Sequence, residues 1–430
     1  MSGATASDVD LDPLTYAWTV DSASCSFDNA SALNPNLTCS DNGSYTATLS
    51  VEDGVNPAVS SNATVTVDNI SPTIVLSGVA NVDEGSSYAL TLGAVTDPGA
   101  DTVTDYVVNW GDGNSDTYQS AGEVNHTYAD GPNSQTISVD LVDEDDTHEN
   151  AGSLALTVDN VAPTLGAITV DQLLIPVNTV INASADFSDP GTLDAHSAAW
   201  DWGDTSSSVG TVTQGAGSGS VSDSHGFGIP GVYLVTLTVT DNDGAPSNLS
   251  TSEYIVVYDP DAGFVTGSGQ IFSPAGALVA NPSATSKGKF GFSIKYKKDG
   301  SLKSETEFEL KVGGESGEES RDGSKEGSRE GSGDEFHFHS SSAQWLVISD
   351  AKAYFQGTGR VEGSSHQFGF RLTVIDDQAA GDNGVDMFRL RIWDMDDNYT
   401  IVYDNELGVP VFADPTTPLS RGKIKRLNVN

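Results

Sequence analysis

Apolar and polar residues alternate along many short segments of the chain, with the period of two that is typical of a half-buried β-strand. Segment 236–240 reads Thr-Leu-Thr-Val-Thr, and segments 290–294 and 388–393 alternate in the same way. Turn-forming Gly, Ser, Asn and Asp residues separate these segments, and long stretches rich in Ala, Glu, Lys and Leu are absent. The pattern predicts an all-β chain, and 430 residues are too many for one core.

An internal repeat divides the first part of the chain. Segment 67–73, Val-Asp-Asn-Ile-Ser-Pro-Thr, returns 91 residues later as 158–164, Val-Asp-Asn-Val-Ala-Pro-Thr. Each copy follows an alternating segment, and its proline ends the strand because proline has no N–H for the ladder. A period of about 90 residues predicts one β-sandwich per repeat.

Three landmarks return inside the repeats: an aromatic strand, a turn after it, and a long alternating strand that ends in an acidic turn. The aromatic strands contain Trp18, Trp110, Trp200 and Trp202. The long strands lie at 45–51, 136–142 and 233–239. We expect the tryptophans to fill the sandwich cores rather than to form an exposed sugar platform.

These residues resemble the polycystic kidney disease (PKD) repeat, which combines a tryptophan strand, a Gly-Asp turn and a late Pro-Gly-x-Tyr strand. The third repeat matches best, with Trp-Asp-Trp-Gly-Asp at 200–204 and Pro-Gly-Val-Tyr at 230–233. The second keeps 110–113 and His-Thr-Tyr at 126–128, whereas the first lacks the Gly-Asp turn. The resemblance implies extracellular, immunoglobulin-like seven-stranded sandwiches that act as spacers or binding modules.

The repeats and the change of character after residue 260 predict the domain division. We expect PKD-like repeats at 1–69, 70–160 and 161–259, a C-terminal antiparallel β-domain at 262–412, and a tail at 413–430. Repeat one lacks the segment that precedes the aromatic strand in repeat two. We therefore expect Met1 to begin a fragment with an export signal upstream, and we expect this repeat to be poorly stable.

The C-terminal region carries all the basic residues and several strand-like runs. It resembles a module that follows PKD-type arrays in secreted bacterial proteins, and these segments carry the resemblance: 267–277, 289–298, 308–310, 338–345, 369–376 and 388–394. A Gly/Ser/Glu-rich stretch at 313–335 interrupts it. Because this stretch cannot bury a core, we expect it to be a disordered loop between two strands.

The net charge of -42 is concentrated in the repeats, because residues 1–286 contain 37 Asp or Glu and no Lys or Arg. Such a surface repels phosphate backbones and anionic lipids and attracts cations, so nucleic acid is excluded as an expected partner. No apolar run approaches the roughly 20 residues of a membrane-spanning helix, so we expect no membrane insertion.

Aspartates cluster in the turns of every repeat and are the candidate ligands for calcium, which prefers carboxylate and carbonyl oxygens. The candidates are Asp8, Asp10, Asp12, Asp53, Asp97, Asp101, Asp143, Asp189, Asp194, Asp241 and Asp243. The alternative is that these residues only form turns, for which Asp is well suited. None of the runs has the EF-hand spacing.

Two smaller candidate sites involve cysteine and histidine. Cys25 and Cys39 are the only cysteines, and they form either a local disulfide in an oxidising compartment or two buried free thiols. His337 and His339 share one face of a predicted strand, with His366 as a third candidate zinc ligand. The alternative for these histidines is a surface pair without metal.

No catalytic motif is present: the chain has no Gly-x-Ser-x-Gly elbow and no His-Glu-x-x-His helix. We therefore expect a non-enzymatic extracellular protein, secreted or on the cell surface, that acts as a structural or adhesive spacer. The alternative is a carbohydrate- or protein-binding accessory region of a larger secreted enzyme. The expected partners are a cell-surface or matrix protein or glycan, and we expect a monomer or part of a longer chain.

Overall fold

The computed structural model describes residues 1, 3–312, 334–377 and 384–427. This part of the chain forms 34 β-strands and contains no helix. The strands are short and are joined by turns, as the alternating segments and the abundant turn formers predict. The prediction of an all-β fold with immunoglobulin-like sandwiches and a C-terminal antiparallel sheet is confirmed.

Repeat one consists, within the described residues, of a three-stranded sheet in the order β1-β4-β5 and a two-stranded ribbon, β2-β3. Its strands are β1 (Thr15–Val20), β2 (Cys25–Phe27), β3 (Leu37–Cys39), β4 (Gly43–Glu52) and β5 (Val59–Val67). Three buried apolar residues, Trp18, Ala47 and Leu49, form its core. The cores of repeats two and three contain 14 and 16 such residues, so low stability of repeat one stays a prediction with a physical basis.

The ribbon of repeat one is closed by a disulfide. Cys25 and Cys39 lie opposite each other in β2 and β3, and their sulfur atoms are bonded. The two cysteines are therefore not free thiols in this structure. Because the half-cystines face each other across paired strands, the bond ties the ribbon together next to a small core.

Repeat two is a complete sandwich of a five-stranded sheet, β10-β9-β12-β13-β7, and a three-stranded sheet, β11-β8-β6. Its strands are β6 (Thr73–Ser77), β7 (Asn81–Asp83), β8 (Ser87–Thr96), β9 (Asp105–Asn109), β10 (Ser115–Tyr118), β11 (Gly122–Thr127), β12 (Asn133–Val142) and β13 (Thr147–Asp159). All pairs are antiparallel except β13 with β7. The fully buried Trp110 lies in the core.

Repeat three divides its strands among three sheets: β14-β17-β21-β20 with β15 beside β17, β16-β25-β22, and β19-β18-β23-β24. Its first strands are β14 (Thr164–Leu165), β15 (Thr169–Val170), β16 (Leu174–Pro176), β17 (Val180–Ser188), β18 (Ser197–Asp201) and β19 (Ser207–Val209). The others are β20 (Thr211–Gly215), β21 (Ser218–Gly226), β22 (Gly231–Tyr233), β23 (Thr236–Thr240), β24 (Pro246–Ser250) and β25 (Ile255–Tyr258). Trp200 and Trp202 are both fully buried, and their rings stack.

The Trp-Gly-Asp motif has a structural role in both complete repeats. In repeat three the ring of His225 stacks on Trp202 at 4.8 Å, and its Nε2 lies 2.7 Å from Asp204 Oδ2. In repeat two His126 stacks on Trp110 in the same way and pairs with the aspartate of the Gly-Asp turn. The motif therefore fastens the turn to the tryptophan core through a histidine, which explains the recurring residue types.

The C-terminal domain is one antiparallel nine-stranded sheet, in the order β33-β32-β31-β30-β29-β28-β27-β26-β34. Its strands are β26 (Phe264–Ser273), β27 (Ser286–Tyr296), β28 (Leu302–Val312), β29 (Asp334–Ser349), β30 (Lys352–Val361), β31 (Phe368–Ile375), β32 (Met387–Asp394), β33 (Ile401–Asp404) and β34 (Leu419–Leu427). The sheet curls around its apolar face, so Phe290 in β27 stacks on Phe388 in β32 at 4.1 Å. Asp386, just before β32, accepts the N–H of Ile424 in β34.

One boundary expected for this domain is wrong, and one expected segment lies almost entirely outside the described residues. The tail expected at 413–430 contains β34, which pairs with β26 at one edge of the sheet. An edge strand needs only one buried face, and the Lys and Arg residues of β34 conceal its few apolar contacts in the sequence. Residues 313–333 of the expected insertion at 313–335 lie outside the described residues. The last two residues of the insertion, 334 and 335, belong to β29.

Candidate metal centres at the sandwich junctions

Acidic residues follow the last residue of corresponding strands in repeats two and three. Asp97 comes directly after β8 and Asp189 directly after β17, each within an Asp-Pro-Gly sequence. In both turns the aspartate Oδ1 accepts the N–H of the glycine two residues on, at 2.8 Å. Oδ1 of each carboxylate thus holds its turn, which leaves Oδ2 for contacts outside the turn.

Five carboxylates converge where repeat two meets repeat three, and we call this group the 2/3 junction cluster. Its members are Glu84, Asp130, Asp189, Asp194 and Asp243. Ligand oxygens of Glu84, Asp189 and Asp194 all lie within 4.8 Å of one another, and so do those of Asp130, Asp194 and Asp243. Asp194 belongs to both groups, so its carboxylate links the two.

The first of these groups is buried: Glu84 is 0%, Asp189 4% and Asp194 5% exposed. Glu84 Oε2 accepts the N–H of Gly131 at 2.6 Å, and Oε1 accepts that of Val161 in the linker at 2.8 Å. Asp189 Oδ2 lies 2.9 Å from Nε2 of His196. By contrast, both carboxylate oxygens of Asp194 are buried without a hydrogen-bond partner among the described residues.

The electrostatics of Asp194 follow from this position. Burial, together with the charges of Glu84 and Asp189, raises the pKa of Asp194 from 3.8 to about 7. Two unit charges 4.8 Å apart, the limit of the spacing between these oxygens, repel each other by about 3 kcal/mol at an effective dielectric constant of about 20. A buried charge of this kind requires a counter-charge, and no Lys or Arg occurs in residues 1–286.

Close backbone packing brings the two repeats together at this cluster. A Cβ on Gly191 would lie 2.2 Å from Asp194 Oδ2, and a Cβ on Gly85 would lie 2.6 Å from the Cβ of Pro190. The N–H of Leu193 in repeat three also bonds to the carbonyl of Ala129 in repeat two. Glycine is therefore required on both sides of the junction, because any larger residue would separate the carboxylates.

A second group of three carboxylates lies where repeat one meets repeat two, and we call it the 1/2 junction cluster. Oxygens of Asp97, Asp101 and Asp143 lie within 4.8 Å of one another. Burial and the neighbouring Asp97 raise the pKa of Asp101 to about 6. Asp97 Oδ2 and Asp101 Oδ1 are buried without hydrogen-bond partners in the described parts of the chain. The N–H of Ala100 bonds to the carbonyl of Ser40, which places repeat one beside this group.

The remaining candidate aspartates serve their own turns. Asp8 Oδ1 accepts the N–H groups of Asp10 and Asp12. Backbone and side-chain donors of Asn56 lower the pKa of Asp53 to about 2. Asp241 accepts the N–H groups of two residues in its turn and the side-chain amide of Asn160. Among the described residues, no group with metal-ligand spacing contains any of these five candidates, which are Asp8, Asp10, Asp12, Asp53 and Asp241.

Sequence reasoning missed Glu84 and Asp130. Both belong to repeat two, whereas the other three members of the 2/3 junction cluster belong to repeat three. The sequence analysis assigned each group to a single repeat. The available signal was the Glu84-Gly85 pair after a short strand, but only the docking of the repeats brings it to Asp194.

The histidine candidates also separate in the structure. His337 Nε2 lies 3.0 Å from Glu335 and forms a group with Glu309. His366 instead lies 2.6 Å from Asp394 and near Asp396, so it does not join the pair in β29. Among the described residues, His366 therefore does not join His337 in a group with metal-ligand spacing.

The donor set of the 2/3 junction cluster fits a hard divalent cation. All five side chains offer carboxylate oxygens, and none offers sulfur or a histidine nitrogen. Calcium takes six to eight oxygen ligands in flexible geometry, whereas zinc prefers nitrogen and sulfur in a tetrahedral site. Both oxygens of Asp194 are open to a cation, and each other member retains oxygen lone pairs.

The fold and these junctions define a modular protein of tandem immunoglobulin-like sandwiches with a C-terminal antiparallel sheet. Residues 160–257, which contain the third sandwich, match the family model of the PKD domain. The resemblance that the third repeat shows in sequence is confirmed. No curated protein matches the chain.

Several solved structures are similar over parts of the chain. The fibronectin(III)-like modules of Clostridium thermocellum CbhA are 18% identical, with 44% of this chain and 94% of theirs covered and a TM-score of 0.18. The Yersinia pseudotuberculosis adhesin InvE is 17% identical, with 50% and 70% covered and a TM-score of 0.25. A putative membrane anchored protein from Corynebacterium diphtheriae is 12% identical, with 95% and 100% covered and a TM-score of 0.27. At these values the matches carry no argument about function.

No helix in the described residues has the length and apolar character that crossing a membrane requires.

Proposed function

We propose that this chain is an extracellular spacer or stalk whose sandwiches are held in a fixed relative orientation by calcium at their junctions. The observation that carries the proposal is Asp194, a carboxylate that is 5% exposed. Its two oxygens have no hydrogen-bond partner among the described residues, and it lies close to four other carboxylates. A bound divalent cation removes the repulsion that this arrangement otherwise imposes.

The position of the 2/3 junction cluster supports a mechanical role. Glu84 and Asp130 come from repeat two, and Asp189, Asp194 and Asp243 come from repeat three, so one cation would bind both units at once. Glu84 also holds the linker between them through the N–H of Val161. Without a cation, like charges oppose the docking of the two sandwiches, and their relative orientation is less restricted.

Location and partners follow from the same features. A disulfide in repeat one suits an oxidising, extracellular compartment, where calcium is present at millimolar levels that satisfy modest sites. A stalk holds other parts of a longer chain away from a surface, towards a matrix protein or glycan, and needs no catalytic group. We therefore propose a non-enzymatic role.

Calcium is expected to raise the melting temperature of the full chain. At a concentration about tenfold above Kd, we expect a rise of about 5–10 °C in the transition of the second and third repeats, measured by calorimetry. Magnesium serves as a matched control, because its octahedral geometry tolerates this donor set less well. An unchanged melting temperature at about 10 mM calcium contradicts the proposal.

The pH dependence of stability supplies a second test. The folded pKa of Asp194, about 7, exceeds the ordinary value of 3.8, so between these values the folded state retains a proton that the unfolded state loses. In chelator, stability is therefore expected to fall as pH rises from about 4 to about 7 and then to level off. Calcium competes with this proton, so its stabilising effect should be larger at about pH 8 than at about pH 5.5. A stabilising effect of calcium that is equal at both pH values would show that Asp194 is not a calcium ligand.

A further inference from the structure

A cleft of about 510 Å³ lies between the third sandwich and the nine-stranded sheet. Its floor is the sheet face opposite the main core, and the floor residues are Trp345, Gln356, Arg371, Arg391 and Trp393. Tyr254 of repeat three and Phe412, which follows β33, form its walls. This volume falls within the range of small-ligand sites.

Strand register aligns the polar floor residues in one row. Trp345 in β29 lies opposite Gln356 in β30, Gln356 opposite Arg371 in β31, and Arg371 opposite Arg391 in β32. Residues that pair across strands point to the same face, so the two guanidinium groups are adjacent in the cleft. Both arginines belong to the C-terminal region, which carries all the basic residues of the chain.

Arg371 is enclosed by aromatic rings. Its guanidinium carbon lies 4.0 Å from the ring centre of Phe412, 5.7 Å from that of Trp345 and 5.9 Å from that of Trp393. Its hydrogen bonds go to Gln356 Oε1, and among the described residues it makes no ion pair with a carboxylate. Burial and the neighbouring Arg391 lower its pKa to about 10. Its charge is therefore held in place without an acidic partner.

Arg391 is also incompletely paired. Asp404, the nearest carboxylate, already accepts two hydrogen bonds from Arg389. Arg391 Nε lies 4.0 Å from Asp404 Oδ2, too far for a hydrogen bond, and it is buried without another partner in the described chain. The cleft thus contains two adjacent arginines whose guanidinium groups have N–H donors that can bind a ligand.

An exposed aromatic ring borders the cleft. Tyr399 lines it and is 64% exposed. Asn398 and Tyr399 both have left-handed backbone angles, with φ of 48° and 59°. This conformation is costly for tyrosine, and such strain concentrates at ligand sites.

We propose that this cleft binds a sugar ring that carries a carboxylate, such as a single uronic acid unit of a glycan. The carboxylate pairs with Arg371 and Arg391, because guanidinium groups bind planar anions in bidentate fashion. The apolar face of the sugar packs on Trp393 and Tyr399. A densely charged polyanion is disfavoured by the acidic sandwiches, so isolated acidic units suit the site better. The proposal does not depend on calcium at the junctions.

Titration of the full chain with matched ligands, followed by calorimetry or tryptophan fluorescence, tests whether the cleft binds an acidic sugar. Methyl glucuronide should bind at least about tenfold more tightly than methyl glucoside, which has a neutral hydroxymethyl group in place of the carboxylate. Acetate supplies a single carboxylate without a sugar and should bind more weakly than the glucuronide. No binding of the glucuronide, equal binding of the glucoside, or equal binding of acetate overturns the proposal.

Three variants assign the interaction to the cleft. Arg371→Gln should weaken glucuronide binding by about tenfold or more. Tyr399→Asn should weaken it severalfold, and since this exposed position keeps a residue that tolerates the left-handed backbone, the variant also decides the question if Arg371→Gln does not fold. Arg360→Gln, an equal charge change at an exposed residue of β30, is the control and should leave binding unchanged. Unchanged binding in folded Arg371→Gln, or in Tyr399→Asn, overturns the proposal.

Discussion

Replacement of Asp194 by asparagine is expected to stabilise the protein in chelator and to abolish its stabilisation by calcium. At about pH 8 the wild-type carboxylate is ionised, and the rise of its pKa from 3.8 to about 7 corresponds to a cost of about 4 kcal/mol in the folded state. The variant removes this cost but buries an amide with incomplete hydrogen bonds, which costs about 1–3 kcal/mol. We expect a net gain of about 2 kcal/mol in the free energy of unfolding without calcium.

With calcium the sign reverses, because the variant has lost the central ligand. The wild type gains stability from the cation, whereas Asp194→Asn gains little. The variant should therefore melt at the higher temperature in chelator, and the wild type should melt at the higher temperature in calcium. Calorimetry of both proteins under both conditions measures this. Asp186→Asn removes the same charge from an exposed position of repeat three and should show no such exchange. Destabilisation of Asp194→Asn under both conditions would make Asp194 a structural residue only.

The Arg389→Met variant is expected to lose about 3–5 kcal/mol of stability in the C-terminal domain. Arg389 and Asp404 are each 2% exposed, and the guanidinium donates to both carboxylate oxygens, at 3.1 Å and 2.9 Å. It also donates to the carbonyls of Glu406, Val409 and Pro410, which attaches the segment after β33 to the sheet. Methionine fills the space but leaves a buried carboxylate without its partner.

Chemical denaturation monitored by fluorescence measures this loss. The matched control is Arg360→Met, at an exposed residue of β30, which should change stability by less than about 0.5 kcal/mol. The double variant Arg389→Met with Asp404→Asn should recover part of the loss, because it removes the uncompensated charge. A loss no larger than that of the control would show that the pair contributes little.

The core of each sandwich could be read directly from the sequence. Alternation predicts β23, where Leu237 and Val239 are buried between half-buried threonines. The tryptophans predicted as core residues are buried, at 7% exposure for Trp18 and 0% for Trp110. These features are local, because the side-chain period of a strand and the turn preference of Gly-Asp depend on neighbouring residues only.

The candidate metal ligands were predictable only in part. Asp97, Asp101 and Asp143 converge as one group, because all three lie in turns at the same end of one sandwich. Asp8 and Asp53 carry the same sequence signal, yet their oxygens are occupied by N–H groups of their own turns. An aspartate in a turn has the same sequence pattern whether its free oxygen faces solvent or other carboxylates. The sequence therefore does not distinguish a turn aspartate from a metal ligand.

The sequence by itself determined the all-β class, the repeat boundaries near the two Val-Asp-Asn segments, the tryptophan cores and the acidic ends of the sandwiches. Only the tertiary structure decided that Glu84 meets Asp194, that β34 joins the C-terminal sheet beside β26 and that Arg371 faces Phe412. The physical reason is that strand and turn formation depend on short-range periodicity and backbone preference. Contacts between units depend instead on how separate surfaces dock, and no local period in the chain encodes that docking.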